Sequence, residues 1–151
     1  MNAAKPDGKN EDAWDVPPDF AWHFEATRIA DTDFPLAVAT DPDGMLIDAC
    51  ERQDAVETGV IDPFWAATWR AAAGLDKYLA AVPLMGKRVL ELGCGTGHAG
   101  IAASIRGAEV ILTDGVDDPL WLVRKSIESL PSAPRVRRLR FGIDQLDTPP
   151  F

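Results

Sequence analysis

The chain is poor in the residues that build small stapled or metal-centred folds. It has two cysteines, Cys50 and Cys94, and two histidines. Two cysteines are too few for a disulfide framework or a Cys-based zinc site, and no metal is expected. No apolar run approaches the roughly 20 residues of a membrane span, so no membrane partner is expected. Met1–Asn10 is polar and lacks the apolar region of a signal peptide, which makes a reducing, cytoplasmic compartment the expectation. Basic residues are scarce at the start: residues 1–60 hold 14 acids against 4 bases, and residues 61–151 hold 10 acids against 11 bases. The net charge of −9 argues against non-specific nucleic-acid binding.

What remains is ordinary globular material. A chain of 151 residues suits one domain and can bury a core without disulfides. Residues 1–19 carry Lys5-Pro6-Asp7-Gly8, Glu11-Asp12 and Pro17-Pro18. This reads as a disordered acidic tail, with too little apolar surface to offset its ordering entropy. Residues 20–60 read as a hairpin/helix extension. Phe34–Thr40 is an expected strand, and Asp41-Pro42-Asp43-Gly44 fits a turn. Residues 45–52 fit either a helical face or a second hairpin strand, and Glu51–Gly59 reads as a loop.

Residues 61–151 have a clearer pattern. Asp62-Pro63 suits a helix start, and a helix is expected from Phe64 to about Ala81. Thr68, Ala71, Leu75, Tyr78, Leu79 and Val82 would form its buried stripe. Arg88–Leu92 reads as a strand, Gly93–Gly97 as a glycine loop, and His98 to about Arg106 as a helix with Ile101, Ala102 and Ile105 inward. Glu109–Thr113 is a second strand, Asp118-Pro119 opens another helix, and Val136–Phe141 is a third strand. This β-α-β-α-β order is the N-terminal half of a doubly wound α/β sheet, with parallel strands in the order 3-2-1.

The loop Glu91-Leu92-Gly93-Cys94-Gly95-Thr96-Gly97 carries the chemistry. Glycines let a backbone turn tightly and approach a ligand, and the following helix offers free N–H groups. A dinucleotide GxGxxG fingerprint matches at Gly95, Gly97 and Gly100, but its first glycine should directly follow the strand. Counted from Gly93, the third position falls on His98. The pattern acid-x-G-x-G-x-G is met in full by Glu91, Gly93, Gly95 and Gly97. A carboxylate at the strand end is unfriendly to a pyrophosphate and suits a ligand with a cationic amino-acid part, such as S-adenosylmethionine. Asp114 ends the second strand, where an acid can accept both ribose hydroxyls.

These residues resemble a known family. Residues 63–142 look like the first half of a class I S-adenosylmethionine-dependent methyltransferase, of the lysine methyltransferase family 16 group. The resemblance implies a Rossmann-like sheet, a protein-lysine acceptor and a cofactor site. Trp69-Arg70-Ala71-Ala72 matches the family's Trp-x-x-Ala segment, whose Trp helps to hold the cofactor. Gly93, Cys94, Gly95 and Gly97 match its loop, and Asp114 its ribose acid. Phe141-Gly142 stands where the family often has Trp-Gly beside the adenine, and Asp144 is a candidate for the adenine amine. No catalytic residue is implied.

Other candidates have plain readings. His98 is readily accommodated at a helix start without being a base. Cys94 need not be a nucleophile, since methyl transfer from a sulfonium forms no covalent enzyme intermediate. Arg135, Arg137, Arg138 and Arg140 could form a nucleic-acid patch, but their interleaving with Val136, Leu139 and Phe141 fits a charge-protected edge strand. In the resembling family a fourth strand would follow Phe151, so the chain is expected to be truncated, lacking strands 4–7. Alone it should bind cofactor weakly, catalyse nothing, and self-associate through the exposed edge of its first sheet strand. A non-enzymatic half-domain and an NAD-binding Rossmann domain remain as alternatives.

Overall fold

Trp22–Ile29 (β1) and Thr32–Ala39 (β2) form an antiparallel hairpin in register from Trp22↔Ala39 to Ile29↔Thr32. The computed structural model describes residues 16–55, 63–149 and 151. Residues 1–15 and 56–62 hold most of the expected acidic tail and part of the expected 51–59 loop, which therefore lie outside the described residues. β1 is an element the sequence pattern did not reveal. Its turn is Ala30-Asp31, and both residues have positive φ, 49° and 62°. Turns of this kind normally advertise themselves by Asn-Gly or Asp-Gly. Here the Ala30 N–H donates to Asp76 Oδ2 at 3.0 Å, so a tertiary contact holds a conformation that alanine disfavours.

Pro42–Ala55 is a helix (α1), which corrects two expectations. Asp41-Pro42-Asp43-Gly44 is its first turn rather than a β-turn. Asp41 Oδ1 accepts the Gly44 N–H at 2.9 Å. An acid followed by proline serves a helix N-terminus as well as a turn. The ambiguous residues 45–52 are helical, and the expected loop begins later than Glu51.

The single helix expected over 64–81 is broken. Phe64–Ala66 is one 3-10 turn, Ala67 and Trp69 are extended, and Arg70–Leu79 forms α2. The break has a local cause: Trp69 Nε1–H donates to the Phe64 carbonyl at 2.9 Å. The expected stripe is corrected too. Thr68, Ala71, Leu75 and Tyr78 are exposed, and only Leu79 and Val82 pack against the core. The buried residue of α2 is Asp76.

Arg88–Leu92 (β3), Glu109–Asp114 (β4) and Arg135–Arg138 (β5) form a parallel sheet in the order β3-β4-β5. The helices His98–Ile105 (α3) and Asp117–Ile127 (α4) connect them. Val110, Leu112 and Val136 from the sheet join Ile101, Leu120 and Val123 from the helices in one core. Ile29, Leu36 and Val38 of the hairpin enter the same core, so the helices lie between sheet and hairpin. A buried hydrogen bond pins this layer: Ser126 Oγ accepts the Ala37 N–H at 2.8 Å and donates to the Leu122 carbonyl at 3.0 Å. Ile105 sits at the rim, not fully inward.

β5 is shorter than the expected 136–141. Arg140 N–H donates to Asp144 Oδ2 at 2.8 Å, turning the chain away from the sheet. The arginine cluster is engaged within the fold: Arg138 pairs with Asp117 and Arg140 with Asp144. At the far side of the sheet, Arg88 donates to Thr148 Oγ1 and the Pro149 carbonyl and lies over the Phe151 ring. Among the described residues no strand pairs with the free edge of β3, and no helix is long and apolar enough to cross a membrane.

Candidate functional site

β3 ends at Leu92, and the chain then turns through Gly93–Gly97 into α3. Gly93 has φ 64°, a region costly for L side chains, and no heavy atom lies within 4 Å of where its Cβ would stand. That missing side chain keeps a space open. Gly97 has φ 76° and a different reason to be glycine: a Cβ would meet Val123 Cγ2 at 2.9 Å, so its smallness lets α4 pack against the loop.

The open space is a cavity of about 380 Å³ between the loop and the α2 segment. Trp69, Glu91, Gly93, Cys94, Gly95 and Asp114 all line it, so six of the eight residues singled out in the sequence converge. Gly97 does not line it, and supports the loop from behind. Phe141 does not line it either: it is 69% exposed on the turn after β5. Asp144 is tied to Arg140 by three hydrogen bonds, one to its backbone and two to its guanidinium, which hold the acid well below the usual carboxylate range.

Two carboxylates flank the loop. Glu91 Oε2 accepts the Gly100 N–H of α3 at 2.8 Å. Burial pushes its pKa up to about 7; the Gly100 hydrogen bond pulls against this, and the negative charge of Asp114 adds to it. A cationic ligand group beside it would restore the charged form. Asp114 is buried. Its Oδ2 accepts the Gly95 N–H at 3.0 Å and its Oδ1 the Val116 N–H at 3.1 Å, so it ties the loop to the end of β4. Each carboxylate oxygen keeps a second lone pair for a ligand hydroxyl. Cys94 is buried, and burial together with the charges of Glu91 and Asp114 pushes its thiol well above the usual range. Such a thiol is a poor nucleophile.

Sequence reasoning missed one group. Asp76 on α2 lies between Arg106 Nη1 at 2.6 Å and His98 Nε2 at 3.4 Å, besides the Ala30 N–H. Burial would raise its pKa, but these partners together hold it below the usual value. His98 is buried and lines the cavity, and its Nδ1 has no partner. No periodicity marks Asp76, because a lone acid on an Ala-rich helix looks like a solvated face.

A second cleft, of about 750 Å³, shares Trp65 with the first as a lining residue. Asp19, Asp48, Glu51 and Asp118 face it with Arg52. It is larger than the loop cavity but is lined by none of the glycine-loop residues.

Comparison with known proteins agrees with the loop geometry. The electron transfer flavoprotein beta subunit lysine methyltransferase of Xenopus laevis is 43% identical over 58 residues, 37% of this chain and 24% of the relative. Protein N-lysine methyltransferase METTL21A of Danio rerio is 40% identical over 91 residues, 56% of this chain and 41% of the relative. EEF1A lysine methyltransferase 3 of Mus musculus is 38% identical over 85 residues, 53% of this chain and 36% of the relative. The chain thus spans less than half the length of these relatives. The family model described as lysine methyltransferase matches residues 52–145, which take in α2, the glycine loop and the whole three-stranded sheet, and the chain belongs to that family.

Proposed function

We propose that this chain carries the cofactor-binding part of an S-adenosylmethionine-dependent methyltransferase whose acceptor is a protein lysine. The observation that carries the reading is the pair of acids that flank the glycine loop: Glu91 near the end of β3 and Asp114 at the end of β4, both lining one cavity. When bound, the cofactor supplies an electrophilic methyl group on a sulfonium. In this reading Asp114 accepts the ribose hydroxyls, Gly93, Cys94 and Gly95 give close backbone contacts, and Glu91 offsets the cation of the amino-acid part. Trp69 forms the apolar wall, while Phe141 reaches the adenine only if the turn after β5 closes.

The acceptor reading draws on the relatives, each named for a protein or lysine substrate. The acidic cleft beside Trp65 suits a lysine-bearing segment electrostatically. The domain reading belongs to the same proposal: an acidic tail over 1–19, a hairpin/helix extension over 20–60 and a partial methyltransferase unit over 61–151. So does cytoplasmic residence.

Alone, the chain binds cofactor weakly and transfers no methyl group in this proposal. Trp69 and Leu75, which line the cavity, and Leu92 at the end of β3 are exposed, and among the described residues the free edge of β3 has no strand beside it. That edge also favours self-association. The test is a titration of the 151-residue chain with S-adenosylhomocysteine and with NADH, followed by NMR and by melting temperature. Weak but saturable binding of S-adenosylhomocysteine, and none of NADH, is expected. Tighter binding of NADH would sink the cofactor assignment, and micromolar binding of S-adenosylmethionine would sink the expectation of weakness.

A further inference from the structure

His98 opens α3 directly after the glycine loop and is 4% exposed. A histidine in that position needs only a place to sit, but this one is held. Asp76 lies 3.4 Å from its Nε2 and is itself anchored by the Arg106 ion pair and the Ala30 N–H. A proton on Nε2 would face the carboxylate, and the tautomer that carries it there has its lone pair at Nδ1. That atom is buried and without a hydrogen-bond partner. Among the described residues that line the glycine-loop cavity, His98 alone carries such an orphaned buried side-chain atom. Leaving a buried acceptor unpaired is costly, and the structure meets that cost at the wall of a cavity.

We propose that His98 is a ligand-contacting residue whose Nδ1 accepts a hydrogen bond from the amino-acid end of the cofactor, with Asp76 and Arg106 as positioning residues that fix the ring. The inference rests on the cofactor reading above and deepens it. Asp114 lies one strand away, at the end of β4, and takes the ribose in that reading. His98 and Glu91 belong to the β3–α3 junction, so a ligand with its ribose at Asp114 would bring its other end toward them. That end carries an ammonium, a donor that matches both a carboxylate and an imidazole lone pair.

Two ligands separate this contact from a structural role. S-adenosylhomocysteine has the amino-acid end, and 5′-methylthioadenosine lacks it. The chain has only two histidines, so in a 15N-labelled H23Q variant the remaining imidazole signals belong to His98. The expected result is that S-adenosylhomocysteine moves the His98 Nδ1 resonance and 5′-methylthioadenosine does not. His98→Phe should weaken S-adenosylhomocysteine roughly tenfold and leave 5′-methylthioadenosine unchanged. Equal Nδ1 shifts with both ligands, or equal weakening of both by H98F, would overturn the inference. If H98F fails to fold, the comparison in the H23Q chain decides alone. If neither ligand binds, the cofactor reading falls and this inference falls with it; if both bind but His98 is silent, only this inference falls.

Discussion

The carboxylate of Glu91 and the backbone N–H of Gly100 meet at 2.8 Å, joining the end of β3 to the first turn of α3. The contact depends on glycine in a specific way. A Cβ at residue 100 would overlap both the Glu91 carboxylate and the Leu112 side chain. The Gly100 that looked like part of a misregistered dinucleotide fingerprint is therefore a seat for the acid. The acid is held by the helix it precedes.

Gly100→Ala should destabilise the chain, despite the better helix propensity of alanine. Overpacking costs about 1–3 kcal/mol, against a propensity gain of about 1 kcal/mol. Gly74→Ala is the control. Gly74 is also inside a helix, but nothing lies within 4 Å of its Cβ position. It should gain about 0.5–1 kcal/mol. Chemical denaturation of the two variants should move in opposite directions, and stabilisation by G100A would refute the packing argument.

Glu91 should give the fold a pH dependence of definite sign. Its folded pKa is raised from 4.5 to about 7, so between these values the folded state holds more protons than the unfolded one. Stability from this group is complete below about 4.5, falls as pH rises toward 7, and is level above it. The full swing is on the order of 3 kcal/mol. Glu91→Gln removes the ionisation, so the difference between wild type and E91Q should grow across this window, with E91Q the more stable at pH 8. A parallel pH course for the two proteins would refute it. Cofactor binding should show the opposite slope, since a cationic ligand selects the ionised acid and affinity rises with pH up to about 7.

How much of this was legible follows from which residues carried local signals. The loop was legible because its chemistry is local: Glu91, the spaced glycines and Asp114 announce themselves within one β-α-β unit, and the structure brings Glu91, Gly93, Gly95 and Asp114 to one cavity. β4 and the α3 start were legible from apolar runs and punctuation. The hairpin partner β1 was not, because its Ala30-Asp31 turn owes its shape to Asp76, 46 residues away. The α2 stripe misled for a related reason. Leu75 and Tyr78 have helical spacing and are apolar, but periodicity does not say what lies opposite, and here they stay exposed. The 64–81 break was illegible because one indole N–H, that of Trp69, captures a carbonyl.

Asp114 should matter to the loop even without a ligand. Its two oxygens accept from Gly95 and Val116, and asparagine offers only one acceptor oxygen. Asp114→Asn would set an amide N–H against a backbone N–H, at a cost of about 1–3 kcal/mol. Hydrogen exchange should then accelerate at Gly95 and Val116 before it does in β4, and S-adenosylhomocysteine binding should weaken as well. Unchanged protection at both amides would show that Asp114 is not what shapes the loop.

Ser126 offers the sharpest separation of fold from site. It lies on the buried face of α4, 1% exposed, and its Oγ is the acceptor for the Ala37 N–H of β2. Ser126→Ala leaves that N–H without a partner in a place water does not reach, which costs about 1–3 kcal/mol. The loss belongs to the hairpin layer, because the hydrogen bonds of the Ser126 hydroxyl run to β2 and to its own helix rather than to β3, the glycine loop or Asp114. Ser126→Ala should therefore lower the melting temperature by several degrees and speed exchange at Ala37. At temperatures where the chain is folded, its affinity for S-adenosylhomocysteine should stay within about twofold of wild type. A large loss of affinity in the folded variant would mean that the hairpin and the cofactor cavity are coupled. The Asp76–Ala30 bond would then be the physical route to examine first.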